Sequence, residues 1–323
     1  MADGAPITAN GAAGDLTEIT RQLRNLRNAQ REERRLGGSE AFPSREPVIE
    51  AAAALTQALF PRRIGAFAGS ADDEDAFVGE RLGDGLALLA AELRSEEIYW
   101  EAESGAKVDP NRVELALQAF AASLTRVRIL LDSDIEAAFL GDPAARTIEE
   151  ILVSYPGAHA ILWHRIAHEL YRLGFPIVAR IMSESANERT GIDIHPGAHI
   201  GPAFFIDHGS GVVIGETAVI GARVRLYQQV TLGARAMDSS GERKSLSKSA
   251  RHPSIGDDVV IYAGATLLGP ISVGSGTVIG GNCWILHDIP ENAVVESARS
   301  TVSAGKAASR SRGQLFGSSS SSQ

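Results

Sequence analysis

Between Gly191 and Ile285 the chain repeats an aliphatic residue every six positions. Ile194, Ile200 and Ile206 set the step. After an offset of eight it resumes with Ile214, Ile220, Leu226 and Leu232, and a second block runs Ile255, Ile261, Leu267, Val273, Ile279, Ile285. Two residues before most of these stands a small or β-branched residue, among them Ala198, Val212, Ala218, Val224, Val259, Ala265 and Thr277. Glycine often follows, as at Gly201, Gly215, Gly221, Gly256 and Gly274. Helices repeat near 3.6 residues and strands near 2, so neither gives this period. A β-solenoid does: each hexapeptide forms one short side of a coil, and each aliphatic side chain points inward. Cys283 falls on a small-residue position and reads as a buried thiol of the solenoid wall.

Upstream the period is helical. AAAALTQALF, GDGLALLAAELRSEEIYW and RVELALQAFAASLTRVRILL carry apolar residues at i, i+3, i+4 and i+7 between strong helix formers. Asp109-Pro110 is expected to open one helix, with a capping residue before proline. Ser154-Tyr155-Pro156-Gly157 and Gly174-Phe175-Pro176 break the pattern on either side of HAILWHRIAHELYRL. Near the start, Leu16, Ile19, Leu23 and Leu26 recur at three- and four-residue steps within Asp15–Arg35. An amphipathic helix and a loosely attached charged arm are both consistent with that segment.

The expected fold class is therefore α+β. An arm over 1–44, partly disordered or helical, precedes an all-α domain over 45–190. A parallel β-helix follows over 191–295, interrupted by a polar loop at 234–251, and a low-complexity tail at 296–323 ends LFGSSSSSQ. A net charge of -9 argues against a nucleic-acid partner, since phosphate binding needs a clustered basic surface. A single cysteine excludes an intrachain disulfide and a cysteine-based zinc site. The expected setting is cytoplasmic, with no secretory signal and no membrane span.

The stretch GIDIHPGAHIGPAFFIDHGSGVVIGETAVIGARVRLYQQVTLGA resembles the core of the serine O-acetyltransferases, hexapeptide-repeat enzymes of the left-handed β-helix acyltransferase family. Gly141-Asp142-Pro143-Ala144, His159-Ala160 with Arg165-Ile166-Ala167-His168, and Arg251-His252-Pro253 extend the resemblance over about 140–295. The separations of Asp142, Asp193 and His208 also match. The left hand of the coil is taken from this resemblance, because parallel crossovers are otherwise almost always right-handed. The polar loop is longer than in the commonest members and resembles the longer-loop branch.

The resemblance implies transfer of acetyl from acetyl-CoA to the L-serine hydroxyl, as the first step of cysteine biosynthesis. It makes His208 the general base, oriented by Asp193, with His252 a second active-site histidine. A serine hydroxyl is a weak nucleophile, and a positioned imidazole suits the removal of its proton. His208 sits where the repeat is interrupted, beside Gly209 and Gly211. Asp142 and Asp207 match the acids around the substrate ammonium, and Arg251 the guanidinium for its carboxylate. Gly233 and Ala234 are expected to offer N–H groups to the oxyanion. Ala263, Gly264, Ala265 and Gly281 fall where relatives lay the pantetheine arm. Arg235, Arg243, Lys244, Lys248 and Arg251 make the polar loop basic, which suits either CoA phosphates or plain solvation.

No permanently bound cofactor and no metal are implied. Expected partners are L-serine and acetyl-CoA, L-cysteine as a feedback inhibitor, and copies of the chain in a homotrimer or dimer of trimers. Relatives often dock O-acetylserine sulfhydrylase through an isoleucine-ended tail, which this chain lacks. Competing readings are a γ-class carbonic anhydrase using His195, His199 and His208 for zinc, an acetyltransferase with another acceptor, and a silent scaffold. HRIAH places Arg165 where the zinc-peptidase pattern needs glutamate, which argues against a metal on His164 and His168.

Overall fold

The computed structural model describes residues 9–33, 41–107, 109–235 and 250–297. Helix α1 spans Ala9–Glu33. Its apolar stripe of Leu16, Ile19, Leu23 and Leu26 is exposed in the single chain. Six further helices follow: α2 Arg45–Leu59, α3 Ala71–Ser104, α4 Arg112–Gly141, α5 Ile148–Ser154, α6 Pro156–Arg172 and α7 Pro176–Thr190. Asp109 and Pro110 lie just outside α4. Asn111 takes the N-cap position, and the Asp109 carboxylate accepts its N–H at 2.9 Å.

The core of this region is built from Leu55, Leu89, Leu93, Phe120, Trp163 and Phe175, all fully buried or nearly so. Two polar features fix the helices against each other. The first-turn N–H groups of Ile177 and Val178 have no intrahelical acceptor, and the buried Glu96 of α3 takes both, at 2.9 and 2.8 Å. Asp134 of α4 and Arg165 of α6 form a buried two-point ion pair at 2.5 and 2.8 Å. Arg165 also donates to the carbonyls of Ile200 and Gly201, and Asp134 accepts the N–H of Phe204. The pair thus clamps both helices to the first solenoid coil.

From Asp193 the chain winds into three parallel ladders of two- and three-residue strands. The first side stacks β1 Asp193–Ile194, β4 Val213–Ile214, β7 Thr231–Gly233, β10 Thr266–Leu268 and β13 Trp284–Ile285. The second stacks β2 His199–Ile200, β5 Val219–Ile220, β8 Ser254–Ile255 and β11 Ser272–Val273. The third stacks β3 Phe205–Ile206, β6 Arg225–Leu226, β9 Val260–Ile261, β12 Val278–Ile279 and β14 Val294–Val295. Register places Ile194, Ile214, Leu232, Leu267 and Ile285 in one inward column. All thirteen residues of the six-step pattern are buried, as are the small residues two positions before them. The expected α+β architecture of helices followed by a parallel solenoid is the one observed.

The eight-residue offset is the turn from β3 to β4, where Asp207 to Gly211 bulge out of the coil. Residues 236–249 of the polar loop, with Arg243, Lys244 and Lys248, lie outside the described residues, as does the tail from 298.

Candidate active site

A three-sided coil has three corners, and most of the expected site residues gather at two of them. His208 lies at the corner between the third side and the next first side. It adopts a left-handed backbone conformation (φ 58°), as do the corner residues Ala203, Arg223, Gln229, Asp258 and Asn282. Gly209 beside it has no room for a side chain: a Cβ there would stand 2.5 Å from Ile192. The imidazole is therefore pushed outward, with its side chain 73% exposed, and its Nε2 lies 3.9 Å from Asp207 Oδ1.

Around this corner gather two carboxylates. Asp142 closes the C-terminus of α4, where its Oδ2 accepts the Tyr155 hydroxyl at 2.6 Å and its Oδ1 the Ala144 N–H at 2.9 Å. The tyrosine hydrogen bond, then the backbone one, hold its pKa below the usual value; Arg225 and His208 lower it further. In return Tyr155 is pushed up to about 12, first by the Asp142 hydrogen bond. Asp207, almost wholly buried, accepts Arg225 Nη2 at 2.5 Å. The Arg225 guanidinium lies 4.7 Å from the Tyr227 ring centroid, and Tyr227 stacks on Tyr262 at 5.0 Å one coil below. Two anionic carboxylates against one guanidinium leave a negative pocket, the polarity an ammonium group requires. Sequence reasoning missed Tyr155 and Arg225. The visible signal for Arg225 was a cation on the outward position of an otherwise apolar ladder.

Arg251 and His252 occupy the other corner, between first and second sides. His252 is buried, and its Nδ1 accepts the Thr217 N–H at 3.1 Å with the Thr217 hydroxyl at 2.8 Å. A ring nitrogen that accepts a backbone N–H carries no proton, so the neutral ring is protonated on Nε2. Burial lowers the His252 pKa, and Arg251 lowers it further. The ring fits because position 215 is glycine: a Cβ there would lie 2.0 Å from Nε2. Arg251 pairs through Nη2 with Glu216, whose other oxygen accepts the Tyr171 hydroxyl of α6 at 2.5 Å. Burial first, then Glu216, pushes Tyr171 up to about 12. Glu216 and Thr217 sit inside the GETAV stretch; what hid their role is that their partners lie 35 residues away in sequence.

Asp193 lies half-buried on the first side, between the two corners. Burial raises its pKa; Arg180 and Glu184 of α7 act on it in opposite directions. Among the described residues no hydrogen bond or ion pair joins Asp193 to His208, or the His208 corner to Arg251 and His252. Gly233 and Ala234 lie on the His252 corner, whereas Ala263, Gly264 and Gly281 lie on the His208 corner. Ala265 points into the solenoid interior. His195, His199 and His208 are spread over two corners and the second side, and among the described residues no cluster of His, Cys, Asp or Glu is placed to hold a metal ion.

The chain is 49% identical over 264 residues to the plasmid-borne serine acetyltransferase of Synechococcus elongatus, covering 80% of this chain and 82% of that protein. The chain belongs to the serine acetyltransferase family. The Bacillus subtilis serine acetyltransferase is 48% identical over 166 residues, covering 51% of this chain and 72% of that one. The bacterial transferase hexapeptide family (six repeats) matches residues 252–287. Among solved structures, Entamoeba histolytica serine acetyltransferase 1 in complex with L-cysteine aligns with a TM-score of 0.68 and 36% identity, over 83% of this chain and 95% of that one. Neisseria gonorrhoeae serine acetyltransferase in complex with serine aligns at 0.50 and 30%, over 74% and 93%. Membership of that family makes the chain an acyltransferase, and its helices and solenoid together match those of the Entamoeba relative. Among the described residues no helix is long and apolar enough to cross a membrane.

Proposed function

We propose that acetyl passes from acetyl-CoA to the L-serine hydroxyl, giving O-acetyl-L-serine and CoA, in a cleft shared by two protomers of a threefold ring. One observation carries this reading: the acid-lined His208 corner and the Arg251–His252 corner flank the same first side of the prism without meeting in one chain. A heterologous ring closes by setting one corner of each copy against the other corner of its neighbour.

In such a cleft Asp142 and Asp207 take the substrate ammonium, and Arg251 its carboxylate. His208 removes the hydroxyl proton as the oxygen attacks the thioester carbonyl. A tetrahedral oxyanion forms, and the Ala234 N–H and His252 Nε2–H are the donors left for it, because the Gly233 N–H is taken up in the β7–β10 ladder. Collapse breaks the C–S bond, and the His208 imidazolium returns its proton to the departing CoA thiolate. Asp193 would steady that imidazolium once the ring turns inward. Ala263, Gly264 and Gly281 leave a low-relief track along the His208 corner for the pantetheine arm, with Ala265 supporting it from inside. L-cysteine matches serine except for sulfur, so it would compete for the same pocket, in keeping with its presence in an Entamoeba relative's structure.

The test is thiol release from acetyl-CoA with and without L-serine, for wild type and His208→Ala. Release should depend on serine and fall by about 10²–10⁴-fold in the variant. Serine-independent release, or a variant as fast as wild type, overturns it.

A further inference from the structure

Away from both corners, a cavity of about 250 Å3 lies where α4 and α6 meet the second side of the first coil. Its floor is a run of imidazoles. His164 and His168 stand 5.6 Å apart by ring centroids, and His168 and His199 5.9 Å. Its rim carries Arg126 and Arg172, both about half exposed and both paired to the single carboxylate of Glu169, at 2.7 and 3.3 Å. Two guanidiniums on one carboxylate leave an unbalanced positive charge. Arg165 adds nothing to that balance, because Asp134 neutralises it.

The floor holds an unmet requirement. His164 is buried, and its Nδ1 has no hydrogen-bond partner. Leaving a buried polar nitrogen unpaired is unfavourable, because the group has lost its water and gained no partner. His168 Nδ1 is committed to the Pro196 carbonyl at 2.8 Å, so it donates there and leaves Nε2 as its remaining group. The surroundings are cationic or proton-accepting, and the rim guanidiniums repel a metal ion. An acceptor-rich anion supplies the missing negative charge between the two guanidiniums, and His168 bonds to it through Nε2 once that nitrogen is protonated.

We propose that this cavity binds a small oxyanion, sulfate or phosphate in character, held by Arg126 and Arg172 at the rim and by the imidazoles of His164 and His168 below. The proposal does not depend on the acetyl-transfer reading. Burial, followed by His168, Arg165, His195 and His199, keeps the His164 pKa well below its usual value, and burial likewise lowers His168, with Glu169 partly opposing. A bound dianion reverses that balance and favours the protonated rings. Binding therefore takes up protons and tightens as pH falls.

The experiment is calorimetric titration of sulfate, and separately of phosphate, into the full-length protein at pH 6 and pH 8, with chloride holding the ionic strength. Wild type is compared with Arg126→Gln, Arg172→Gln and the double variant. These positions are half exposed, so the fold tolerates them, and the unfolding midpoint of each verifies this. The expected result is saturable oxyanion binding at pH 6, weaker by about tenfold at pH 8 and by about tenfold or more in the double variant. The tighter of the two anions identifies the natural ligand class. No oxyanion-specific heat, equal affinity in the double variant, or saturable zinc binding in place of anion binding overturns the proposal.

Discussion

Arg251 is held by Glu216, and Glu216 by the Tyr171 hydroxyl at 2.5 Å. The helical region thereby reaches the guanidinium assigned to the substrate carboxylate. Glu216→Gln and Tyr171→Phe each loosen that guanidinium without removing it. Both should raise the KM for serine by about tenfold, on the scale of a hydrogen bond to a charged group, with a smaller change in kcat. Steady-state kinetics at varied serine provides the check. A fall in kcat with unchanged KM would place the two residues elsewhere in the reaction.

His252 depends on an absence at position 215. In Gly215→Ala the new Cβ would sit 2.0 Å from Nε2, so the ring must move out of its socket and off Thr217. Serine acetylation should fall by about 10²-fold or more, because a displacement of this size at a reacting group carries that penalty. Thermal unfolding should show the solenoid intact. Near-normal turnover would mean that His252 does not touch the reaction.

The solenoid was readable because its physics is periodic. Each aliphatic residue from Ile194 to Ile285 reports one inward position, and the break between Ile206 and Ile214 marked the turn that presents His208. The partners of the site residues were not readable. Tyr155 was visible only as part of a helix break, yet its hydroxyl sets the Asp142 carboxylate. Glu216 and Thr217 lie within GETAV, and only the stacking of one coil on the next brings Arg251 and His252 to them. The expected Asp193–His208 pairing came from resemblance; in the single chain Asp193 instead lies near Arg180 and Glu184.

Asp134 and Arg165 carry the junction between helices and solenoid. Arg165→Met removes one charge and leaves Asp134 buried and unpaired, a change that typically costs about 3–5 kcal/mol. Urea unfolding should show a loss of that size. A loss below about 1 kcal/mol would show that the junction is held mainly by apolar packing.

Stability should decline on mild acidification. Burial lowers the pKa of His159, His164, His168, His195 and His252 in the folded chain, His195 to about 4. The unfolded chain then binds protons near the ordinary histidine pKa that the folded chain refuses, so stability is full above about pH 6.5 and falls below it. The raised carboxyls of Glu96, Asp134 and Asp193 work in the opposite sense, three against five. Thermal midpoints should be lower at pH 5.5 than at pH 7.5. A flat or inverted profile would contradict the burial of these imidazoles.

If catalysis needs the His208 corner of one protomer and the His252 corner of another, two inactive variants complement each other. Co-expressing His208→Ala with His252→Ala, on chains carrying different tags, and isolating the mixed assemblies tests it directly. Each parent alone should be nearly inactive. In a mixed threefold ring one site of the three draws intact His208 from one variant and intact His252 from the other, so the isolated mixed assemblies should recover about one third of wild-type serine acetylation. Mixed assemblies as inactive as their parents would contradict a shared site.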